Sequence, residues 1–149
     1  MSKLYATDFL LWAKETAQLL RERRFEDIDL EALIEEMEGL ARADEHAIES
    51  QMERLIEHLL KLGYASGRLR EDNERGWKLS VVNARLKIAQ RMKRVPSLQR
   101  YPEIILSDAY EVGRNEAGKA VDLELLPVEC PWSVAELLGA DFFPYPDEA

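Results

Sequence analysis

The chain has 149 residues, of which 46% are hydrophobic and 33% charged, and its formal net charge is −9. This length suits a single domain over residues 1–149, and the acidity argues against a general affinity for nucleic acid. A lone cysteine cannot form an internal disulfide, and no apolar run approaches the ~20 residues of a membrane span. With no signal-peptide core at the N-terminus, a cytoplasmic protein without membrane contact is expected.

Charge is sorted into three blocks along the chain. Residues 1–60 carry 7 Lys/Arg against 15 Asp/Glu, residues 61–100 carry 11 against 3, and residues 101–149 carry 2 against 11. A basic block between two acidic ones can neutralise its neighbours or bind an anionic partner. Both interpretations stay open, although the net acidity favours pairing within the fold.

Apolar residues at helical spacing predict two helices in the first acidic block. The first covers about 7–23, with a capping side chain at either of its first two positions. The second follows Asp29 and covers about 30–62, because its apolar rhythm continues through Gly39. Gly63 is expected to end it. This second helix would be about 50 Å long and needs other helices along it.

A loop and a third helix are predicted in the basic block. Residues 63–73 have no apolar period, which indicates an exposed loop. Asp72 or Asn73 can cap a third helix that runs to about Val95, where Pro96 ends it.

The last acidic block predicts a fourth helix and an apolar tail. Ser97 opens the helix, and Pro102 within its first turns allows a kink or a restart. Ser133 and Glu136 fit a capping box for a short helix that Gly139 would end. The expected fold is an all-α bundle of four main helices, with a long second helix, a short C-terminal helix and a docked tail.

Several short runs recur in the order of a known family. They are LIEEME at 33–38, HLLK at 58–61, Trp77, PSL at 96–98 and ECPW at 129–132. In order and spacing the chain resembles the bacterial Domain of Unknown Function 29 family over nearly its whole length. The resemblance implies an all-α fold and carries no assigned activity.

Three polar residues, Asp44, Gln51 and His58, are spaced by seven on the second helix. A polar residue at the edge of a helical seam can fix register or partner choice. The three could instead line a cleft beside Trp77 and Arg85. For His58 we favour a third interpretation, a half-buried histidine that is satisfied by a neighbouring side chain.

The basic block offers candidate anion-binding residues. They are Arg68, Arg70, Arg75, Arg85, Arg91 and Arg94. Such cations can contact phosphates, and Trp77 or Tyr101 could stack on a base. Pairing with the glutamates of the second helix is the favoured alternative, although exposed pairs contribute only ~0–1 kcal/mol each.

No catalytic spacing is evident. There is no Glu-x-x-His pair, so neither a metal site nor a cofactor is expected. Cys130 is interpreted as a small buried residue, because the adjacent Glu129 would not lower the pKa of its thiol and the chain has only two histidines. A metal-dependent or hydrolytic centre at Glu38, Asp44 and His58 is kept only as an alternative.

The favoured function is a protein-interaction or small regulatory module, with a protein partner or a second copy of the chain. It rests on the long apolar stripe, the sorted charge and the absence of catalytic spacing. Nucleic-acid binding through residues 68–100 is the second hypothesis, and enzymatic activity is the third and least favoured one.

Overall fold

A computed structural model describes residues 3–145, and within that range the chain forms helices and turns but no strand. The predicted all-α class with four main helices is confirmed. The described residues form two compact units, 3–43 and 44–145, which are treated separately below. A single domain over 1–149 stays a prediction.

The N-terminal unit begins with a short helix, α1 (Lys3–Thr7), followed by α2 (Phe9–Arg21). Between them Asp8 caps α2, because its carboxylate accepts a hydrogen bond from the amide of Leu11 at 3.1 Å. The predicted first helix is therefore confirmed as α2, but it ends two residues early. Arg23 has φ of 59°, a left-handed conformation that cannot continue a helix.

The core of this unit is small. Trp12, Ile28 and Ala32 are buried, and the ring of Tyr5 packs edge-on to Trp12 with centroids 4.7 Å apart. The Tyr5 hydroxyl donates to Glu36 at 2.5 Å, and this bond raises the pKa of Tyr5 to about 12. One aromatic cluster and one hydrogen bond thus connect the N-terminal segment to the start of the next helix.

That next helix, α3 (Leu30–Tyr64), is the long helix that the apolar rhythm predicts. Asp29 caps it, with its carboxylate accepting a first-turn amide at 3.2 Å. The expected stop at Gly63 is wrong, since α3 continues for one more residue. Gly63 instead allows the tail to come close: a Cβ there would lie 3.3 Å from Pro144.

The predicted loop 63–73 is also wrong, because helix α4 (Gly67–Arg94) begins almost at once. Only residues 65–66 separate the two helices, and Gly67 makes the turn at φ of +59°. Ion pairs at i,i+4 support the first turns of α4: Arg68–Asp72, Arg70–Glu74 and Lys78–Glu74. These turns are mostly exposed, so they lack the apolar period by which helices are recognised.

Helix α5 (Tyr101–Ala117) begins later than the predicted Ser97. Residues 96–98 form a single 3₁₀ turn, and Pro102 occupies the first turn of α5, where no amide donor is needed. Gly113 lets α5 approach α3 closely, since a Cβ there would lie 2.8 Å from Ile56 Cγ2.

The tail docks on the core of the C-terminal unit, as predicted. Its short helix α6 (Val134–Leu138) has the predicted capping box between Ser133 and Glu136, and it ends at Gly139. Leu137 is fully buried. It joins a core from α3, α4 and α5 whose fully enclosed members include Ile48, Met52, Leu55, Ile56, Leu59, Leu60, Leu62, Val81 and Ile88.

Candidate functional site

A basic groove lies between α3 and α4 in the C-terminal unit, with a volume of about 210 Å³. We call it the α3–α4 groove. Its lining residues are Ala47 and Gln51 from α3, and Lys87, Gln90, Arg91 and Arg94 from α4. Three of the six side chains are cationic and two are amides, so the groove presents mainly hydrogen-bond donors.

The positive charge of this groove is only partly neutralised. Arg91 Nη1 lies 2.6 Å from Asp44 Oδ1, an ion pair that joins α4 to α3. Within residues 3–145, Lys87 and Arg94 form no ion pair. The sequence has no Asp or Glu between Arg75 and Pro102, so the C-terminal half of α4 has no acidic side chain of its own.

The structure separates the six candidate arginines. Arg68 is exposed beside Asp72, and Arg70 donates to the carbonyl oxygen of Leu62 and lies near Glu74. Arg75 forms no ion pair in the described part of the chain and lies on the outer side of α4. Only Arg91 and Arg94 meet in one groove. Lys87, another cation of the basic block, completes that groove.

Arg85 is a buried structural residue, with 7% of its surface exposed. Its Nε donates to the carbonyl oxygen of Leu137 at 2.8 Å, and its Nη2 donates to that of Phe142 at 2.7 Å. The guanidinium also lies 5.2 Å from the centre of the Phe143 ring, and burial lowers the pKa of Arg85. These contacts connect Arg85 to the tail, and they place it apart from the groove that Arg91 and Arg94 line.

His58 is half-buried as expected, but its hydrogen bond is to a main-chain carbonyl and not to a neighbouring side chain. Its Nδ1 donates to the carbonyl oxygen of Arg54 at 2.7 Å, and its Nε2 lies 3.4 Å from Glu57. Burial lowers the pKa of His58, which favours the neutral form of the ring. Trp77 is buried on α4, with the centre of its ring 6.0 Å from the ammonium of Lys61.

The predicted polar seam therefore does not form a single cleft. Gln51 lines the α3–α4 groove and Asp44 borders it through Arg91. His58 lies fourteen residues after Asp44 on the same helix, which corresponds to about 21 Å. That separation prevents the two side chains from acting on one substrate atom.

The other catalytic candidates also lack partners for chemistry. Glu38 is exposed and lies 3.8 Å from Arg42. Burial raises the pKa of the Cys130 thiol, which donates to the carbonyl oxygen of Trp132 at 3.3 Å. Among residues 3–145, no group of three or more His, Cys, Asp or Glu could hold a metal ion.

A second surface lies on the solvent side of α4, and the sequence did not predict it. Leu79, Val82 and Leu86 follow one another at helical spacing, yet they are 55%, 47% and 54% exposed. We call this surface the α4 outer face. Two shallow cavities of about 470 and 280 Å³ share Val82, and Leu138 and Ala140 of the tail border the second one.

None of the helices within residues 3–145 is both long and apolar enough to cross a membrane. The fold and its surfaces define an all-α protein with a basic fourth helix, a cationic groove and an exposed apolar stripe. The chain belongs to the family described as Domain of unknown function DUF29, whose model matches residues 4–143. No curated protein and no solved structure matches this chain.

Proposed function

We propose that this protein is a protein-interaction module, and that the α4 outer face is its docking surface. The occupant is an acidic amphipathic helix of a partner protein, which lies along α4 with its apolar side on Leu79, Val82 and Leu86. One observation supports this most: three large aliphatic side chains stand about half exposed in a row on a long helix. Contiguous exposed apolar groups are typical of interaction sites.

Charge favours an acidic occupant. Glu71 and Glu74 balance Arg75 and Lys78 at the N-terminal end of the apolar stripe. The excess positive charge lies further along α4, where exposed Lys93 follows Leu86 by seven residues on the same side of the helix. Glu74 neutralises Lys78 at 3.0 Å, but there is no acidic residue beyond it on α4. Complementary potentials of this kind fix orientation and partner choice.

The dimensions suit a helix. The two cavities extend over residues 71–89 of α4, and the distance along the helix from the first to the last of these is about 27 Å. That length matches about five turns of a bound helix. Leu138 and Ala140 make one side of the surface concave, as in proteins that bind an amphipathic helix in a groove.

Photo-crosslinking in the full-length protein tests the proposal. A photoreactive phenylalanine analogue replaces Leu86, and in a control it replaces Ile104 of α5, which is 74% exposed. We expect crosslinks from position 86 alone, to an acidic amphipathic segment of one protein. A synthetic peptide of that segment should bind the wild type, with at least about tenfold weaker binding to Leu86→Glu than to Ile104→Glu.

Other occupants would give different results. A crosslink to another copy of the chain would indicate self-association and overturn the heterologous partner. Binding of the peptide that survives Leu86→Glu would remove the α4 outer face from the interaction. Retention of duplex DNA or RNA at low salt would favour nucleic-acid binding through residues 68–100. Two observations argue against such binding: Arg70 and Arg85 form hydrogen bonds within the fold, and the net charge of the chain is −9.

A further inference from the structure

We infer that the α3–α4 groove is a binding site for the phosphoryl group of a small phosphate monoester. This function goes beyond the proposed docking on α4, and the two surfaces have no lining residue in common. The inference depends on the donors of the groove, its residual charge and its size.

The groove brings together the donors that phosphate oxygens prefer. Lys87, Arg91 and Arg94 are separated by four and three residues, so they lie on one side of α4. Gln51 faces them from α3, and the small side chain of Ala47 leaves space between the helices. Guanidinium groups bind phosphate through paired N–H bonds, and lysine adds a compact charge.

These donors are available to a ligand. A guanidinium has five N–H donors, and at Arg91 the contact with Asp44 is made through Nη1. Lys87 and Arg94 are exposed and form no ion pair within the described residues. The three cations of the lining and the one carboxylate that is paired with them among residues 3–145, that of Asp44, leave a net positive site in a chain whose total charge is −9.

The volume of the groove is suited to a small chemical group. About 210 Å³ is less than the roughly 300–1,000 Å³ of sites that enclose a drug-sized ligand. One phosphoryl group fits, and the rest of the molecule stays in solvent. A nucleic acid would instead need a continuous series of phosphate contacts, whereas the other arginines of α4 are paired, buried or on its outer side.

Asp44 provides an internal test, because it competes with an anion for Arg91. If the groove binds phosphate, Asp44→Asn should release the Arg91 guanidinium and remove a like charge beside the ligand. Affinity for phosphate should then rise about tenfold. A purely structural role of the Asp44–Arg91 pair gives no such gain.

The experiment is a titration of the full-length protein with inorganic phosphate, with NaCl added to keep the ionic strength constant. Heat of binding and amide chemical shifts are the two readouts. We expect saturable binding with shifts at residues 87–94, and at least about tenfold weaker binding in the double variant Lys87→Gln/Arg94→Gln. Lys93→Gln is the matched control, since this exposed cation does not line the groove.

Further probes separate the possible sources of the phosphoryl group. Methyl phosphate should bind as inorganic phosphate does, while a twelve-nucleotide single strand should bind no more tightly per phosphate. Any of three results overturns the inference. The first is a phosphate titration that gives no saturable signal beyond that of chloride, and the second is a Lys93→Gln variant that weakens phosphate binding as much as the double variant does. The third is an oligonucleotide that binds far more tightly than phosphate, with a steep salt dependence. Leu86→Glu should leave phosphate binding unchanged, so failure of the docking proposal is recognised separately.

Discussion

Arg85 and Leu137 are 52 residues apart in sequence, and their side-chain Nε and main-chain oxygen form a 2.8 Å hydrogen bond in the interior of the C-terminal unit. The last carbonyls of a short helix have no partners within that helix. A buried guanidinium supplies donors for them and places positive charge at the negative end of the helix dipole. The same side chain reaches Phe142, so one residue of α4 fixes both ends of the 137–142 segment.

Arg85→Met should lower the free energy of unfolding by about 3 kcal/mol, because buried carbonyls lose their donors. The measurement is urea denaturation followed by circular dichroism. Arg75→Met, an exposed position on the same helix, is the control and should change stability by less than about 0.5 kcal/mol. Equal effects of the two substitutions would show that Arg85 does not hold the tail.

Gly113→Ala should destabilise the protein by about 1–3 kcal/mol, since the added methyl would lie 2.8 Å from Ile56 and 2.9 Å from the carbonyl oxygen of Glu53. Gly76→Ala is the matched control. No atom lies within 4 Å of a Cβ there, so replacing a helical glycine should stabilise by about 0.5–1 kcal/mol. Thermal unfolding of both variants measures the difference. A harmless Gly113→Ala would contradict the close contact of α5 with α3.

His58 should make stability depend on pH in the mildly acidic range. Its pKa in the folded protein is lowered by burial, so the unfolded chain binds the proton more readily. Stability should therefore fall as the pH drops below about 6.5, the ordinary value, and level off once the folded form also protonates.

The comparison that isolates this effect is wild type against His58→Gln, with urea denaturation at several pH values between 5 and 8. The glutamine variant can keep a donor near Arg54 but cannot be charged. We expect the stability difference between the two proteins to change in favour of the variant as the pH falls. Parallel pH profiles would mean that His58 is protonated equally in both states.

Cys130 should react slowly with iodoacetamide in the folded protein. Burial raises the pKa of its thiol, which reduces the reactive thiolate, and the donated bond to Trp132 holds the sulfur in place. The labelling rate in native buffer at pH 8 should be at least about tenfold below the rate in urea. Arg85→Met should speed native labelling if the tail loosens, and Arg75→Met should not.

Helices with one buried, apolar side are the easiest to predict from a sequence. The stripe of α3 continues through Gly39, and the capping residues Asp29 and Ser133 are short-range signals, so all three were predictable. The first turns of α4 lack such a stripe. There the ion pairs of Arg68 and Arg70 stabilise a helix that apolar periodicity cannot detect.

The candidate sites were less predictable, because they depend on which side of α4 meets the core. Arg85 and Arg91 look alike in the sequence, but one is buried under the tail and the other opens into a groove. Lys87 lines the groove because of the side of α4 that faces α3, and the sequence does not show which side that is. Hydrophobic spacing does not distinguish two apolar sides of one helix, so it could not identify Leu79, Val82 and Leu86 as an exposed stripe.

The contact between Arg85 and the tail also sets an order of events during synthesis. Arg85 leaves the ribosome 52 residues before Leu137 and 57 before Phe142. At about 5–20 residues per second, the guanidinium waits roughly 3–11 seconds for its acceptors. During that interval water hydrates the guanidinium, and Arg85 forms its native contacts with the tail only after residue 142 has emerged.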